Sequence, residues 1–478
     1  MAETIIGRDA EKKILKEMLH SNEAELIAVF GRRRVGKTFL VRNCYQKQLV
    51  FECTGIHDVQ LGEQLSNFRN ALQQAMKSAI VPAIPGDWMQ AFLFLSDFLQ
   101  TKLNNQPMVV LFDEFPWIHT PRSHFLTAFG HWWNTWASRQ PQLKVVICGS
   151  AASWMIKNVL HNKGGLHNRV SRSIRLLPFN LRETKAYLLS RGIRLDAYQI
   201  LQLYMAMGGI PQYLKQIGKG ESANQAIDGL FFDQNGMLKT EFERLFRSLF
   251  DNASYHEAIV RQLAKKPGGM TRNEIIKACG LTTGGTTTTL FDELEQSGFI
   301  VRDIPFGRRT RNGNYRLADE YSLFYLKFID GMPGRGKGAW HKVAQGQSYT
   351  SWSGYAFEAV CQKHIPQIKA ALGIEGLYTE VSGWRYVPGP GEQGAQIDLL
   401  LDRQDHCINI CEMKFSKGTF AIDKRYAAEI DRKLTVFQER TKTKKTLFPT
   451  MITTYGTKPN MYYTGRIVSE VRMKDLFR

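Results

Sequence analysis

The stretch Gly31-Arg-Arg-Arg-Val-Gly-Lys-Thr38 lies between an apolar run of strand length, Glu25–Phe30, and a segment with helical spacing, Phe39–Tyr45. A strand, a glycine-containing loop and a helix form the context in which the pattern G-x-x-x-x-G-K-S/T binds phosphate groups. Gly31 and Gly36 let the backbone turn so that its N–H groups point inward at a helix N-terminus, which attracts anions. The stretch therefore predicts an α/β domain that binds a nucleotide.

The side chains of this loop have separate roles in phosphate binding. Lys37 is expected to reach the β- and γ-phosphates as a point charge, and the Thr38 hydroxyl is placed to ligate Mg²⁺. The full set of predicted nucleotide-binding residues is Gly31, Arg34, Val35, Gly36, Lys37, Thr38, Phe39, Asp113, Ser150 and Pro211.

A second apolar run, Met108–Phe112, is closed by two acids, Asp113 and Glu114. A phosphate-binding loop needs such a carboxylate at the end of a neighbouring strand. We expect Asp113 to hold Mg²⁺ through water and Glu114 to polarise the attacking water. The second acid favours hydrolysis of the nucleotide over binding alone.

Two further segments leave alternatives open. Ser150 ends the apolar run Lys144–Gly149, so its hydroxyl either senses the γ-phosphate or belongs to a Gly-Ser turn before the next helix. The corner Gly208-Gly-Ile-Pro211 either approaches a bound nucleotide or breaks a helix. One of the arginines on the segment before Pro178 could reach the γ-phosphate, in cis or from a neighbouring subunit of a homo-oligomer. These arginines are Arg169, Arg172 and Arg175.

Composition restricts the class of protein. The 478 residues exceed what one hydrophobic core organises, so two to four domains are expected. The net charge of +19 favours nucleic acid or an anionic membrane as the partner, and the lack of an obvious basic amphipathic anchor favours nucleic acid. The seven cysteines contain no C-x-x-C pair, and no apolar run has membrane-spanning length. A cytoplasmic protein with reduced thiols is expected.

Residues 253–330 have the pattern of a winged helix, with three helical segments followed by two strand-like pieces. The connection between those strands, Gly307–Gly313, is basic. We expect Arg308, Arg309 and Arg311 to contact DNA phosphates at the wing tip. The alternative is that the module serves as a lid or a protein contact.

The C-terminal segment, residues 350–478, carries a second set of chemically informative residues. Asp398 lies on a strand-like run, and Glu412 and Lys414 share one face of the next strand because side chains alternate with period two. Glu358 lies on a preceding helix. Glu358, Asp398 and Glu412 could hold Mg²⁺ or Mn²⁺ through oxygen ligands, and Lys414 could activate a water for attack on a phosphodiester.

A basic helical segment follows this acidic set. It spans Ile422–Glu439 and its flank, and it bears Lys424, Arg425, Arg432, Lys433 and Arg440. Such a helix suits a phosphate-backbone substrate. The alternative is a salt-bridged sheet edge beside a solvated helix face.

Taken together, these motifs resemble the archaeal-type P-loop ATPase family, which lies near the AAA+ and STAND NTPases. The resemblance rests on Gly31–Thr38, Leu111–Glu114, Cys148–Ser150, Leu177–Phe179 and Gly208–Leu214. It implies ATP as the nucleotide. It also implies an ATPase core over residues 1–178, a helical lid over 179–252, a winged helix over 253–330 and a linker over 331–349. Asp398, Glu412 and Lys414, with Glu358, resemble the PD-(D/E)XK nuclease superfamily, which implies a restriction-endonuclease-like domain over 350–478.

Two functions follow as hypotheses from the residues and the resemblance. The first is an ATP-hydrolysing enzyme that acts on DNA, with a metal-dependent nuclease site made of Asp398, Glu412 and Lys414. The second is an ATP-driven signalling or defence switch whose C-terminal domain binds nucleic acid or a partner without cutting it. A regulator that binds an operator through its winged helix is a third reading.

Overall fold

The computed structural model describes residues 4–77, 81–161, 164–250, 252–308, 313–331, 336–389 and 392–478. The chain divides into two compact units, Met1–Pro178 and Phe179–Arg478. In the described part of the chain, no helix combines the length and apolarity needed to cross a membrane. All seven cysteines carry free thiols.

The first unit is built on a parallel sheet. Its strands are β1 (Glu25–Phe30), β2 (Leu49–Thr54), β3 (Met108–Asp113), β4 (Leu143–Gly149) and β5 (Arg172–Arg175). Its helices are α1 (Asp9–Leu19), α2 (Lys37–Cys44), α3 (Leu61–Met76), α4 (Trp88–Gln100), α5 (Phe115–Ile118), α6 (Phe125–Thr135) and α7 (Ala152–Met155). The strand order is β2-β3-β4-β1-β5.

This sheet places the predicted nucleotide-binding loop, Gly31–Gly36, and the acids Asp113 and Glu114 at the carboxyl ends of its strands. Every residue of β1, β3 and β4 is buried, as expected for a parallel sheet covered on both faces. The carboxyl ends of these three neighbouring strands therefore lie side by side. An aromatic core supports the sheet, with Phe92 stacked on Trp132 and Phe112 against Phe129.

The second unit begins with helices. They are α8 (Leu181–Ser190), α9 (Ala197–Met207), α10 (Pro211–Leu214), α11 (Ala223–Ile227) and α12 (Glu241–Arg247). Gly209 permits a close backbone contact here, because its carbonyl accepts from the Phe179 N–H at 2.7 Å and a Cβ would lie 1.9 Å from the Phe179 oxygen. This contact accounts for one glycine of the Gly-Gly-x-Pro corner.

The next part, which we call the helix-and-sheet module, spans residues 253–317. It comprises α13 (Ala253–Lys265), β6 (Met270–Thr271), α14 (Arg272–Cys279), α15 (Gly285–Gln296), β7 (Ile300–Asp303) and β8 (Asn314–Leu317). The strands pair in the antiparallel order β6-β8-β7. The sequence predicted the three helices and the β7–β8 pair, and β6 is an addition too short to recognise from its pattern.

The segment 331–349 was expected to be a linker. Its described part, from residue 336 onward, contains α17 (Ala339–Val343) and the start of α18 (Gln347–Lys363), which follow α16 (Glu320–Phe328). Trp340 is buried and packs against Phe324 and Phe328 of α16. This stretch is therefore packed into the second unit instead of running as an extended connection.

The C-terminal part is a second five-stranded sheet with helices. Its elements are α19 (Ile365–Ala371), β9 (Thr379–Tyr386), β10 (Ala395–Arg403), β11 (Cys407–Lys414), α20 (Lys424–Thr441), β12 (Thr446–Thr453) and β13 (Ser469–Arg472). The strand order is β13-β12-β11-β10-β9, with β9, β10 and β11 antiparallel and β11, β12 and β13 parallel. The central strand, β11, is buried from Ile408 to Met413.

Candidate functional sites

The nucleotide loop connects the end of β1 to the start of α2. Gly31 has φ 147° and a Cβ there would lie 2.2 Å from the Leu176 oxygen, so only glycine fits. Arg34 and Gly36 also have positive φ, 71° and 91°. These three residues turn the loop back over the N-terminus of α2, the geometry of an anion-binding concavity.

Lys37 is folded into this loop. It is buried, and its Nζ donates to the carbonyls of Gly31 at 2.9 Å and Arg32 at 3.1 Å and to Ser150 Oγ at 3.0 Å. Burial lowers the pKa of Lys37, and the Glu114 carboxylate opposes that shift. Two carbonyl oxygens and the Ser150 hydroxyl therefore surround the ammonium, and the Glu114 carboxylate favours its charged form.

Thr38 and Asp113 meet beside Lys37. Thr38 Oγ1 donates to Asp113 Oδ2 at 2.9 Å, while the buried Asp113 Oδ1 has no hydrogen-bond partner among the described residues. Burial raises the pKa of Asp113. A buried carboxylate oxygen without a donor, next to a hydroxyl, fits a Mg²⁺ ion with its water ligands.

Glu114 and Ser150 complete the set at the ends of β3 and β4. Ser150 Oγ donates to Glu114 Oε1 at 2.5 Å, and the Ser150 N–H donates to Glu114 Oε2 at 3.1 Å. Since Ser150 Oγ also accepts from Lys37, the hydroxyl joins the lysine to the acid. The structure thus brings together Lys37, Thr38, Asp113, Glu114 and Ser150, although they come from three separate segments.

The remaining residues predicted to contact the nucleotide are more scattered. Val35 is buried and Phe39, on α2, is 38% exposed. Pro211 begins α10 in the second unit. Arg172 and Arg175 lie at the ends of β5, and Arg169 precedes that strand.

The second site lies on the C-terminal sheet. Leu399 of β10 pairs with Cys411 of β11, and continuing that antiparallel register places Asp398 opposite Glu412. Glu412 and Lys414 share a face of β11. Burial and the Asp398 carboxylate raise the pKa of Glu358, on α18, to about 8, and Lys414 opposes this shift. The three acids and the lysine are therefore within electrostatic reach of one another.

Two side chains of α20 donate hydrogen bonds to the Glu412 carboxylate. Lys433 Nζ donates to Oε1 at 2.7 Å and Tyr426 OH donates to Oε2 at 2.7 Å. Lys414 Nζ lies 4.8 Å from the centre of the Tyr426 ring. The sequence predicts Lys433 on a basic helix that faces the substrate. Instead it is buried and paired with a predicted metal ligand.

These contacts decide how the acids fit a metal ion. Carboxylates are the ligands that Mg²⁺ and Mn²⁺ prefer. However, no group of three or more His, Cys, Asp or Glu side chains in the described part of the chain is arranged to hold a metal. Asp398 Oδ1 also accepts from Gln396 Nε2, at 2.6 Å. The chemistry of the donors fits a divalent cation, whereas both oxygens of Glu412 are engaged by Lys433 and Tyr426.

The predicted wing is docked onto this sheet at its base. The Phe306 N–H donates to the Gly383 carbonyl at 2.8 Å, and the Phe306 ring lies 5.2 Å from that of Phe437. Arg308 follows and is exposed. Arg309 and Arg311 lie outside the described residues, so their predicted contact with DNA stays a prediction.

Comparison with known proteins agrees with the first site. Residues 6–217 match the model of an ATPase domain found predominantly in Archaea. An uncharacterised protein of Methanocaldococcus jannaschii is 23% identical over 422 residues, covering 86% of this chain and 87% of its own length. Residues 6–217 are therefore similar to an archaeal-type ATPase domain, in agreement with the contacts of Lys37, Thr38 and Asp113.

Solved structures that are similar to the chain include two archaeal proteins. The Walker-type ATPase of Pyrococcus abyssi has a TM-score of 0.47 and 18% identity, covering 67% of this chain and 96% of that chain. The ORC2 protein of Aeropyrum pernix, solved with ADPNP and ADP, has a TM-score of 0.40 and 16% identity, covering 68% and 94%.

Proposed function

We propose that this protein is an ATP-hydrolysing enzyme that acts on DNA and cuts phosphodiester bonds at a metal-dependent site in its C-terminal domain. The observation that carries the nuclease proposal is the β10–β11 register, which sets Asp398 opposite Glu412 with Lys414 on the same face. Glu358 adds a third carboxylate, whose pKa is raised by burial and by the nearby Asp398 carboxylate. Acidic ligands beside a lysine suit hydrolysis of a phosphodiester.

In the ATPase site we assign each residue one role. The loop from Gly31 to Gly36 and Lys37 would bind the phosphates. Thr38 and Asp113 would hold Mg²⁺, which supplies charge neutralisation on the phosphate oxygens. Glu114 would orient the attacking water once Ser150 releases it to face the γ-phosphate. The hydrogen bond from Ser150 to Glu114 supports this coupling.

In the C-terminal site Glu358, Asp398 and Glu412 would hold Mg²⁺ or Mn²⁺, which polarises the scissile phosphate when bound. Lys414 would position the attacking water on the same face of β11. A net charge of +19 supports nucleic acid as the partner. We further propose the lid, winged-helix and nuclease-like roles for residues 179–252, 253–330 and 350–478.

The decisive experiment is incubation of the purified protein with plasmid and linear DNA in Mg²⁺ or Mn²⁺, with and without ATP. We expect metal-dependent cutting that is lost in Asp398→Ala and Lys414→Ala. Lys417→Ala, an exposed lysine three residues along, is the matched control and should cut normally. Lys37→Ala tests whether ATP binding changes the rate. Cutting that persists in Lys414→Ala would contradict the proposed site.

A second candidate function is an ATP-driven switch whose C-terminal domain binds nucleic acid or a partner without cutting it. The observation that favours it is the occupation of both Glu412 oxygens by Lys433 and Tyr426. No cutting under any condition, with ATP still hydrolysed, would select this function over the nuclease.

A further inference from the structure

A cleft of about 770 Å³ lies within the second unit, between the helix-and-sheet module and the C-terminal sheet. Its lining includes Glu358 and Asp398 from the proposed nuclease site and Arg308 from the loop after β7. The acids therefore do not face open solvent on a flat surface. A phosphodiester that enters between the two parts therefore reaches Asp398.

One wall of this cleft is fixed in place. Phe306, two residues before Arg308, is hydrogen-bonded to Gly383 and packs in an apolar cluster with Ile397, Leu400 and Phe437. Pro305 and Trp384 line the cleft on either side of this anchor. The distance between the module and the sheet is consequently set by packed side chains.

The volume of the cleft selects the form of the nucleic acid. Pockets of about 300–1,000 Å³ enclose drug-sized molecules, which corresponds to one or two nucleotides. A B-form duplex has a major groove that is itself about 12 Å wide and 8.5 Å deep, so the whole duplex exceeds such a space. A single strand, whose backbone and bases can follow the cleft one nucleotide at a time, fits it.

The charges that line the cleft favour a polyanion. Two of its basic residues are neutralised locally, since Lys266 pairs with Glu274 at 2.8 Å and Arg316 pairs with Asp303. Among the described lining residues three arginines remain, and of these Arg308 and Arg385 are exposed. The third, Arg272, donates to Thr288 Oγ1 at 3.0 Å. Guanidinium groups of this kind bind phosphate oxygens.

Two aromatic side chains line the same cleft. Tyr355, one turn before Glu358 on α18, is 52% exposed. Trp384 is partly exposed, with its ring edge-on to Phe437 at 5.0 Å. Aromatic rings combined with a basic groove are the usual means by which proteins bind single strands, because every base offers a flat face for stacking.

We propose that the cleft binds single-stranded DNA, with bases against Trp384 and Tyr355 and phosphates against Arg308 and Arg385, and delivers one phosphodiester to Asp398. This inference rests on the proposed nuclease function and defines its substrate as a single strand or an unpaired end.

The test measures binding of the full-length protein by fluorescence anisotropy in EDTA, so that cutting has no influence. The probes are a fluorescein-labelled 20-nucleotide oligo(dT) and a 20-base-pair duplex. We expect the oligo(dT) to bind at least about ten-fold more tightly. Tyr355→Ala should weaken its binding about five-fold or more, the fold-change that corresponds to about 1 kcal/mol of base stacking.

Further variants separate direct contact from misfolding. Trp384→Ala should weaken binding and Trp384→Phe should retain most of it, because phenylalanine preserves both the packing and a flat ring. Arg308→Ala should reduce the slope of log affinity against log salt by about 0.7, the value for one phosphate contact on a single strand. The controls are Tyr378→Ala and Arg194→Ala, which are exposed residues outside the cleft lining.

Equal affinity for the two probes, or oligo(dT) binding unaffected by both Tyr355→Ala and Trp384→Ala, would overturn the proposal. These outcomes are independent of the cutting assay. If duplex DNA is cut in a Lys414-dependent way while the binding test fails, the nuclease proposal stands and the single-strand proposal falls. If the Lys414→Ala variant still cuts, the nuclease assignment falls whatever the binding test gives.

Discussion

Replacing Lys433 by methionine tests whether the C-terminal acids form a metal site. Lys433 and Glu412 are both buried, and their side chains meet at 2.7 Å. Burial alone would lower the pKa of Lys433, but the Glu412 carboxylate raises it above the usual value. Methionine keeps most of the length of the side chain and removes its charge, so that among the described side chains Tyr426 still donates to Glu412.

The expected loss of stability follows from the uncompensated carboxylate. Removing one partner of a buried ion pair costs about 3–5 kcal/mol. At roughly 2 °C of Tm per kcal/mol for a large domain, Lys433→Met should lower the Tm of the C-terminal unit by roughly 6–10 °C in EDTA. A divalent cation at one hundred times its dissociation constant would return about 2.7 kcal/mol, so Mg²⁺ should recover much of that loss.

The assay is thermal unfolding of wild type and variant in EDTA and across a Mg²⁺ titration. Lys424→Met, on an exposed position of the same helix, is the control and should change neither the Tm nor its response to Mg²⁺. The double variant Glu412→Gln, Lys433→Met should regain the Tm lost in EDTA. It should also lose the additional Tm increase that Mg²⁺ causes in Lys433→Met. An identical Mg²⁺ shift in wild type and Lys433→Met would refute the assignment of Glu412 as a ligand.

Three other predictions follow from contacts described above. Glu114→Gln should slow ATP hydrolysis by about 10²–10⁴-fold, the usual loss on removing a group that activates water, and leave nucleotide binding intact; a wild-type rate of phosphate release would contradict this. Gly209→Ala would place a methyl carbon 1.9 Å from the Phe179 oxygen and should cost at least about 1–3 kcal/mol in urea unfolding, whereas Gly229→Ala, with open space around it, should not. Burial lowers the pKa of His364 to about 4, so only the unfolded state gains a proton as the pH falls from 6.5 to 4. The free energy of unfolding should then drop by about 3 kcal/mol over that window, and a His364→Asn variant with the same pH slope would argue against it.

The first candidate site can be proposed from the sequence because its determinants are largely local. The loop from Gly31 to Gly36 needs particular backbone angles, and the residues that supply them stand next to each other. Asp113 and Ser150 were found because each follows an uninterrupted buried strand. That β3 and β4 are neighbours, and that Ser150 links Lys37 to Glu114, depends on strand order, which is a long-range property of the sheet.

In the second unit, the position of Phe306 also depends on residues that are distant in the sequence. Nothing near Phe306 in the sequence distinguishes a loop at a wing tip from a loop that packs on another sheet. The partners that fix it, Gly383 and Phe437, are about 80 and 130 residues away along the chain. This contact holds the module against the C-terminal sheet. Arg308 and Asp398 therefore line the same cleft, which their positions in the sequence do not indicate.

Lys433 is different, because a local signal was present. Tyr426, Ile430, Lys433 and Phe437 follow each other at spacings of four, three and four, the spacing of one helix face. Ile430 and Phe437 are buried, so a lysine between them must be buried too. A buried ammonium requires an acid partner, and Lys433 meets Glu412 at 2.7 Å and the less buried Glu429 at 3.4 Å. The number of basic residues on α20 predicts a surface that binds phosphate. Their positions on the helix separate them, because Lys424 and Arg425 are exposed whereas Lys433 is buried and neutralises Glu412.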